Sequence, residues 1–96
     1  QAELESGGEL LALEMTQAAN NLDEALLERR LADTSMEAAE ENLRMSRRQY
    51  EAGLETLSDY LEAQAVWQQA SRTQVEARIG SYLRWLEYRK AAGLPD

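Results

Sequence analysis

Three carboxylates within five residues, Glu37, Glu40 and Glu41, come closest in this sequence to a catalytic or metal-binding motif. Helical bundles hold pairs of metal ions with glutamates and with Glu-x-x-His motifs from facing helices. The chain contains neither histidine nor cysteine, which excludes imidazole and thiolate ligands, thiol nucleophiles and disulfides. A solvated helix face is therefore the better interpretation of the cluster. We predict no catalytic residue, no metal site, no cofactor and no enzymatic activity.

The charge distribution limits the partners that the chain can bind. The formal net charge is −8, and residues 1–28 contain seven carboxylates and no basic side chain. A polyanion would be repelled by this end, so neither nucleic acid nor an anionic lipid surface is an expected partner. The sequence also lacks the run of about 18 apolar residues that a membrane-spanning helix needs. If the parent protein is exported or membrane-bound, we expect this chain to be one part of it.

Small or apolar residues recur at alternating four- and three-residue spacing from Leu11 to Gly53. This heptad pattern predicts one long helix over residues 9–52 that packs as a coiled coil. Only Arg29 interrupts the series, and we expect its side chain to reach towards neighbouring acids. Every seventh position is small, at Ala18, Ala25, Ala32, Ala39, Ser46 and Gly53. Such a stripe lets a second helix approach closely.

Residues 1–8 allow two interpretations. Ser6 and Glu9 have the spacing of a capping box, which would start the helix there and leave a flexible segment before it. Alternatively the helix extends through Gly7 and Gly8, at a cost of about 1 kcal/mol for each glycine.

Residues 53–56 carry a signal that ends the first helix and a signal that starts a second one. Gly53 suits the left-handed position after a helix, with Leu54 as the apolar residue expected to pack against the helix end. Thr56 and Asp59 then form a capping pair for a second helix over residues 57–92. The predicted fold is therefore all-α, a single domain over residues 1–96 in the form of an antiparallel helical hairpin.

The hairpin register follows from the position of the turn. Folding there pairs residues whose numbers sum to about 109, so that the two small-residue stripes meet. The predicted pairs are Ala39 with Ala70, Ala32 with Ala77, Ser46 with Ala63, and Leu43 with Val66. The basic end of the second helix, at Arg84, Arg89 and Lys90, is expected near Asp23 and Glu24.

The second helix is apolar on more than one face. One predicted stripe comprises Ala63, Val66, Ala70, Thr73, Ala77 and Gly80; the other comprises Leu61, Ala65, Val75, Ile79, Tyr82 and Leu86. Trp67 and Trp85 add further apolar area and are expected in a core or an interface. Two apolar faces predict contacts with helices outside the hairpin, so we expect the isolated chain to self-associate into a helical bundle.

The residues around the turn carry a family resemblance. The stretch Ala39-Glu40-Glu41-Asn42-Leu43, the motif Tyr50-Glu51-Ala52-Gly53 and the run Leu57 to Gln64 together resemble the C-terminal repeat of the TolC family of outer-membrane efflux channels. The ending from Tyr82-Leu83 to Ala91-Ala92-Gly93-Leu94 is also similar to that family. The resemblance covers residues 36–94 and rests on the spaced set of motifs.

This resemblance implies a function. The hairpin would be one of two in each protomer, and three protomers would form a helical tunnel across the periplasm, with the membrane-embedded segments outside this chain. The tip would contact a periplasmic adaptor protein through Tyr50, Gly53, Leu54, Thr56 and Leu57. Asp59 and Glu62 would lie at the channel entrance. Some relatives carry a basic residue two positions after the glycine, where this sequence has Glu55.

Two questions remain open from the sequence. Arg44, Arg47 and Arg48 form a small basic cluster before the tip, which fits either salt bridges with neighbouring glutamates or docking of a partner protein. The alternative to a channel segment is a coiled-coil interaction module of an adaptor or another scaffold protein. An adaptor hairpin is expected to carry Arg, Leu and Ser at heptad-like spacing around its tip, and residues 50–60 contain no such motif.

Overall fold

The computed structural model describes residues 2–93, with side chains described from residue 7 onwards. It contains two α-helices, α1 (Ala2–Glu51) and α2 (Leu57–Ala91), and no strand within that range. The helices pack side by side as one antiparallel hairpin, and the molecule is 77 Å long and 14 Å across its thinnest dimension. The predicted all-α hairpin is confirmed.

The first helix begins earlier than residue 9. It starts at Ala2 and continues through Gly7 and Gly8, so Ser6 lies inside the helix and is not its N-cap. The flanking alanines, glutamates and leucines are strong helix formers, and extending an existing helix avoids the cost of a new nucleus. Residues 2–8 therefore belong to α1. Because α1 is longer than α2, its N-terminal end projects beyond the hairpin, and Leu10, Leu11 and Leu13 are exposed there.

The small-residue stripe of α1 faces α2. Its members Ala25, Ala32, Ala39 and Ser46 are each less than one-tenth exposed, as is Met36 of the same heptad series. Arg29, the one interruption in the series, is exposed. The hairpin core is therefore thin and consists mostly of alanine, which allows a close approach of the two helices along the seam.

The stripe of α2 that faces α1 differs in part from the prediction. Ala63, Ala70 and Ala77 lie on it, but the positions between them are filled by Trp67 and Gln74. Val66 is 50% exposed and borders a groove beside Ala39 and Asn42 of α1, so it lies at the edge of the seam and not inside it as predicted, and Thr73 is exposed as well. Turning the larger Trp67 inwards removes more apolar area from water than turning Val66 inwards.

Contacts between the helices agree with the predicted register. Tyr50 stacks on Tyr60, with ring centroids 5.3 Å apart, and Asp33 accepts hydrogen bonds from Gln74 and Arg78. The residue numbers of these three pairs sum to within two of the predicted 109. Asp33 and Arg78 form an ion pair across the hairpin, near the middle of its length. Arg84, expected near Asp23 and Glu24, pairs with Glu87 on its own helix at 2.6 Å.

Candidate functional site: the hairpin tip and the outer flanks

The tip begins with a glycine-terminated helix end. Gly53 has φ +77°, and its N–H donates to the Tyr50 carbonyl at 3.0 Å. The Leu54 N–H donates to the Gln49 carbonyl at 2.8 Å. These two hydrogen bonds define a Schellman motif, which satisfies carbonyls that the helix leaves unpaired. The predicted stop at Gly53 is confirmed, and Gly93 ends α2 with a similar φ of +72°.

The return helix begins with the predicted cap. Thr56 has extended backbone angles, and its hydroxyl accepts a hydrogen bond from the Asp59 N–H at 3.1 Å. Asp59 also places a negative charge in the first turn of α2, where the helix dipole favours it. The Thr56 hydroxyl is therefore engaged in holding the turn.

Two leucines project from the tip into solvent. Leu54 is 80% exposed and Leu57 is 52% exposed. The expectation that Leu54 packs against the helix end is wrong. In a Schellman motif that contact is made with the residue five positions earlier, which here is the polar Gln49. The tip therefore carries apolar surface that the fold itself does not use.

Tyr50 contributes to the fold as well as to the tip surface. Its ring is stacked on that of Tyr60 with an angle of 14° between the planes, and it joins the end of α1 to the start of α2. Tyr50 remains 38% exposed. It can therefore brace the turn and still contact a partner with one edge.

The acidic residues that follow the tip share one hollow. Glu55, Asp59 and Glu62 line a shallow depression of about 240 Å³, together with Asn42 and Ser46 of α1. The fold thus brings together Asp59 and Glu62, the two predicted entrance residues, and adds Glu55. The buried Ser46 hydroxyl donates a hydrogen bond to the Glu55 carboxylate. A serine in an otherwise alanine stripe was the sequence signal for this contact.

The basic cluster before the tip is engaged in salt bridges along α1. Arg44 pairs with Glu41 at 2.5 Å, and Arg47 pairs with Glu51 at 3.4 Å. Both pairs are more than half exposed, so each contributes only about 0–1 kcal/mol. The salt-bridge interpretation therefore accounts for these two arginines.

A polar contact crosses the hairpin at mid-length. The Asp33 carboxylate accepts hydrogen bonds from Gln74 Nε2 at 2.8 Å and from Arg78 Nη2 at 3.3 Å. The hydrogen bond from Gln74 lowers the pKa of Asp33 most, and the positive charges of Arg78 and Arg29 lower it further. The charge of Arg29 thus acts on Asp33, an acid four residues later on the same helix, as the sequence predicts.

Each helix also carries an exposed apolar seam on its outer flank. The α1 outer seam consists of Leu27, Leu31, Ala38 and Met45; the α2 outer seam consists of Leu61, Ala65, Val75, Ile79 and Tyr82. The larger members of both seams are between 50% and 59% exposed. At about 100° per residue, the two seams are centred roughly 125–150° from the faces that contact the partner helix. Leu31, Ala38 and Tyr82 also border the grooves between the two helices. The hairpin therefore offers one apolar surface on each of its two outer flanks.

In the part of the chain that the structure describes, no helix combines the length and hydropathy required to cross a bilayer. No group of three or more acidic side chains is arranged there to hold a metal ion. Glu37, Glu40 and Glu41 are exposed along α1.

Comparison with known families gives a match over almost the whole chain. A family model described as outer membrane efflux protein matches residues 1–93. The chain belongs to this family. The TolC-family resemblance at the turn is therefore confirmed, and the chain is a component of an outer-membrane efflux channel. No curated protein and no solved structure matches it significantly.

Proposed function

We propose that this hairpin forms part of the wall of the periplasmic tunnel in a trimeric outer-membrane efflux or secretion channel, and that its tip docks on a periplasmic adaptor protein. The role is structural and non-enzymatic. The observation that carries the proposal is the pair of outer seams. A helix in the wall of a tube has a neighbour on each side, and both helices of this hairpin have an apolar seam for a second neighbour.

The family match favours this role over that of an adaptor or general scaffold module. Exposed apolar seams on both flanks of a long hairpin also distinguish it from an isolated coiled coil, which needs one seam for each helix. Burying the seams against neighbouring hairpins would stabilise the assembly by roughly 25 cal/mol for each Å² of apolar area.

The exposed leucines support docking at the tip. The turn is held by the backbone hydrogen bonds at Gly53, by the Thr56 cap and by the Tyr50 stack. Leu54 and Leu57 add little to these contacts and remain exposed. Exposed apolar side chains at the end of a rigid hairpin suit a protein partner, whose contact would cover them. The hollow formed by Glu55, Asp59 and Glu62 lies directly behind the tip and would face the tunnel entrance.

The tip proposal is tested by replacing Leu54 and Leu57 with serine in the full-length channel. We expect efflux to fall sharply while trimers still assemble in the outer membrane, because the fold does not need these side chains. Efflux of a dye from cells and the trimer band on native gels measure the two outcomes.

A control variant carries Val66→Ser, which changes an apolar residue that is 50% exposed, lies on neither outer seam and is more than two helical turns from the tip. This variant should transport normally. Normal efflux in the Leu54→Ser/Leu57→Ser channel would contradict docking through these leucines, and loss of the trimer would show that they are structural.

A further inference from the structure

The buried stripe of α1 contains one serine close to the tip. Ser46 is 4% exposed, and the stripe positions before it are Ala25, Ala32 and Ala39. Alanine is the better helix former and fits the same space, so the packing of the two helices gives no reason for a hydroxyl group at this position. A buried hydroxyl also needs a hydrogen-bond partner. The reason for Ser46 therefore lies in what its hydroxyl contacts.

That contact is made with the turn, residues 52–56. The Ser46 hydroxyl donates to the carboxylate of Glu55, nine residues later in the chain, and so joins the end of α1 to the turn. Glu55 is only partly exposed, whereas the adjacent Leu54 is 80% exposed. The side chain of Glu55 is thus directed towards α1, and that of Leu54 is directed into solvent.

The Ser46–Glu55 hydrogen bond replaces an apolar contact that the turn lacks. In a Schellman motif Leu54 would pack on the residue five positions earlier, which here is Gln49. The backbone hydrogen bond from Leu54 to Gln49 holds the start of the turn, and the Thr56 cap holds its end. Glu55 lies between these two anchors, and its side chain is the third point at which the turn is attached to the helices.

The same hydrogen bond opposes a charge repulsion. Glu55 shares its hollow with Asp59 and Glu62, and like charges repel each other. A carboxylate that loses its donor in such a place is better hydrated outside the hollow. Without Ser46 we therefore expect the Glu55 side chain to swing out into water and the backbone of Leu54 to move with it.

We propose that Ser46 and Glu55 are positioning residues for the tip. Their hydrogen bond directs the carboxylate inwards, and this holds Leu54 and Leu57 outwards in the arrangement that the partner binds. Ser46 is buried and acts through Glu55, without touching the partner. This inference rests on the proposed function, because it takes the two leucines to be the docking surface.

The main variant is Ser46→Ala in the full-length channel, which removes the donor. Because alanine favours the helix and fits the stripe, trimers should dissociate at the wild-type temperature or at a higher one. A tip that is no longer held in its binding arrangement should dock more weakly. With adaptor expression titrated in cells, half-maximal dye efflux should therefore require roughly tenfold more adaptor. A serine with a purely structural role would instead lower the stability of the trimer when it is removed.

Two substitutions of Glu55 separate the hydrogen bond from the charge. Glu55→Gln keeps a side-chain oxygen that can accept from Ser46, so this channel should stay close to the wild type. Glu55→Ala should need as much adaptor as Ser46→Ala. The double variant Ser46→Ala/Glu55→Ala should be no worse than either single variant, because both changes remove the same contact.

The freedom of the turn can be measured without the adaptor. A glutamate-specific protease cleaves after Glu55 when the turn opens locally, so purified Ser46→Ala channels should be cut there several-fold faster than the wild type. The matched control is Ser81→Ala. Ser81 is 3% exposed, and its hydroxyl donates to the Arg78 carbonyl of its own helix at 2.9 Å. This control should leave both the cleavage rate and the adaptor requirement unchanged.

Several results would overturn the inference. They are an unchanged adaptor requirement or cleavage rate in Ser46→Ala, trimers of that variant that dissociate at a lower temperature, and a Glu55→Gln channel as defective as Glu55→Ala. Failure of the proposed function looks different, because efflux would then survive Leu54→Ser/Leu57→Ser. Efflux that needs these leucines but not Ser46 would contradict this inference alone.

Discussion

At the scale of single residues, polar side chains set the contacts that the alanine seam cannot specify. Ala25, Ala32 and Ala39 repeat every seven residues and look alike from the other helix. Asp33, in contrast, has specific partners on α2, because its carboxylate accepts hydrogen bonds from both Gln74 and Arg78. This contact is partly exposed, so it adds specificity at one level of the hairpin more than it adds stability.

The lowered pKa of Asp33 gives a pH-dependent prediction. A carboxyl whose pKa is lower in the folded chain than in the unfolded chain contributes stability above its unfolded pKa of about 3.9, and this contribution is lost as the pH falls through the folded-state value. Asp33→Ala should therefore destabilise the hairpin at neutral pH, and its difference from the wild type should shrink as the pH is lowered from about 5 towards 2.

Urea denaturation at several pH values measures this difference in the free energy of unfolding. Asp23→Ala removes an exposed acid of α1 that has no hydrogen bond or ion pair among residues 7–93, and it serves as the control. A deficit in Asp33→Ala that stays constant across the pH range would show that the carboxylate charge is not the cause.

At the scale of the elements, two glycines with open space around them should affect stability in opposite directions when each is replaced by alanine. Gly53 has φ +77°, whereas Gly80 lies inside α2 with helical geometry, and an added Cβ would meet no atom within 4 Å at either position. Gly53→Ala should lower the free energy of unfolding by about 1–2 kcal/mol, because an L-residue is strained there. Gly80→Ala should raise it by about 1 kcal/mol through helix propensity.

Urea denaturation at low protein concentration, where the chain is not associated, compares these two variants. Opposite signs for the two substitutions are the expected result. A neutral Gly53→Ala variant would mean that the turn can re-form without a left-handed residue, and the account of the tip would need revision.

The sequence predicted the elements better than it predicted the side chains. Heptad spacing, a glycine stop and a threonine cap are local signals, and they located both helices and the turn. Which of Val66 and Trp67 faces α1 depends on the rotation of α2 about its axis, and adjacent positions on a helix differ by only about 100°. The exposure of Leu54 and the contact of Ser46 with Glu55 depend on how the loop crosses between the helices. These features follow from tertiary geometry.

At the scale of the whole molecule, the hairpin is long, thin and apolar on both outer flanks. Its own core buries little beyond alanine, and large side chains such as Leu31 and Ile79 remain more than half exposed. A molecule of this shape acquires a thick core only when other helices cover its flanks. This shape suits the proposed role as a segment of tunnel wall, which requires assembly with other helices into a tube.

Cysteine labelling measures whether the outer flanks are covered in the assembled channel. This chain has no cysteine, so Leu27→Cys, Ile79→Cys and Val66→Cys can be introduced singly into a cysteine-free full-length channel. Leu27 and Ile79 lie on the outer seams and Val66 does not, yet in the isolated hairpin the three side chains are similarly exposed, between 50% and 56%. In assembled trimers, a water-soluble thiol reagent should label cysteines 27 and 79 several-fold more slowly than cysteine 66. Equal labelling rates at the three positions would contradict the account, because they would show that the outer seams remain open to water in the channel.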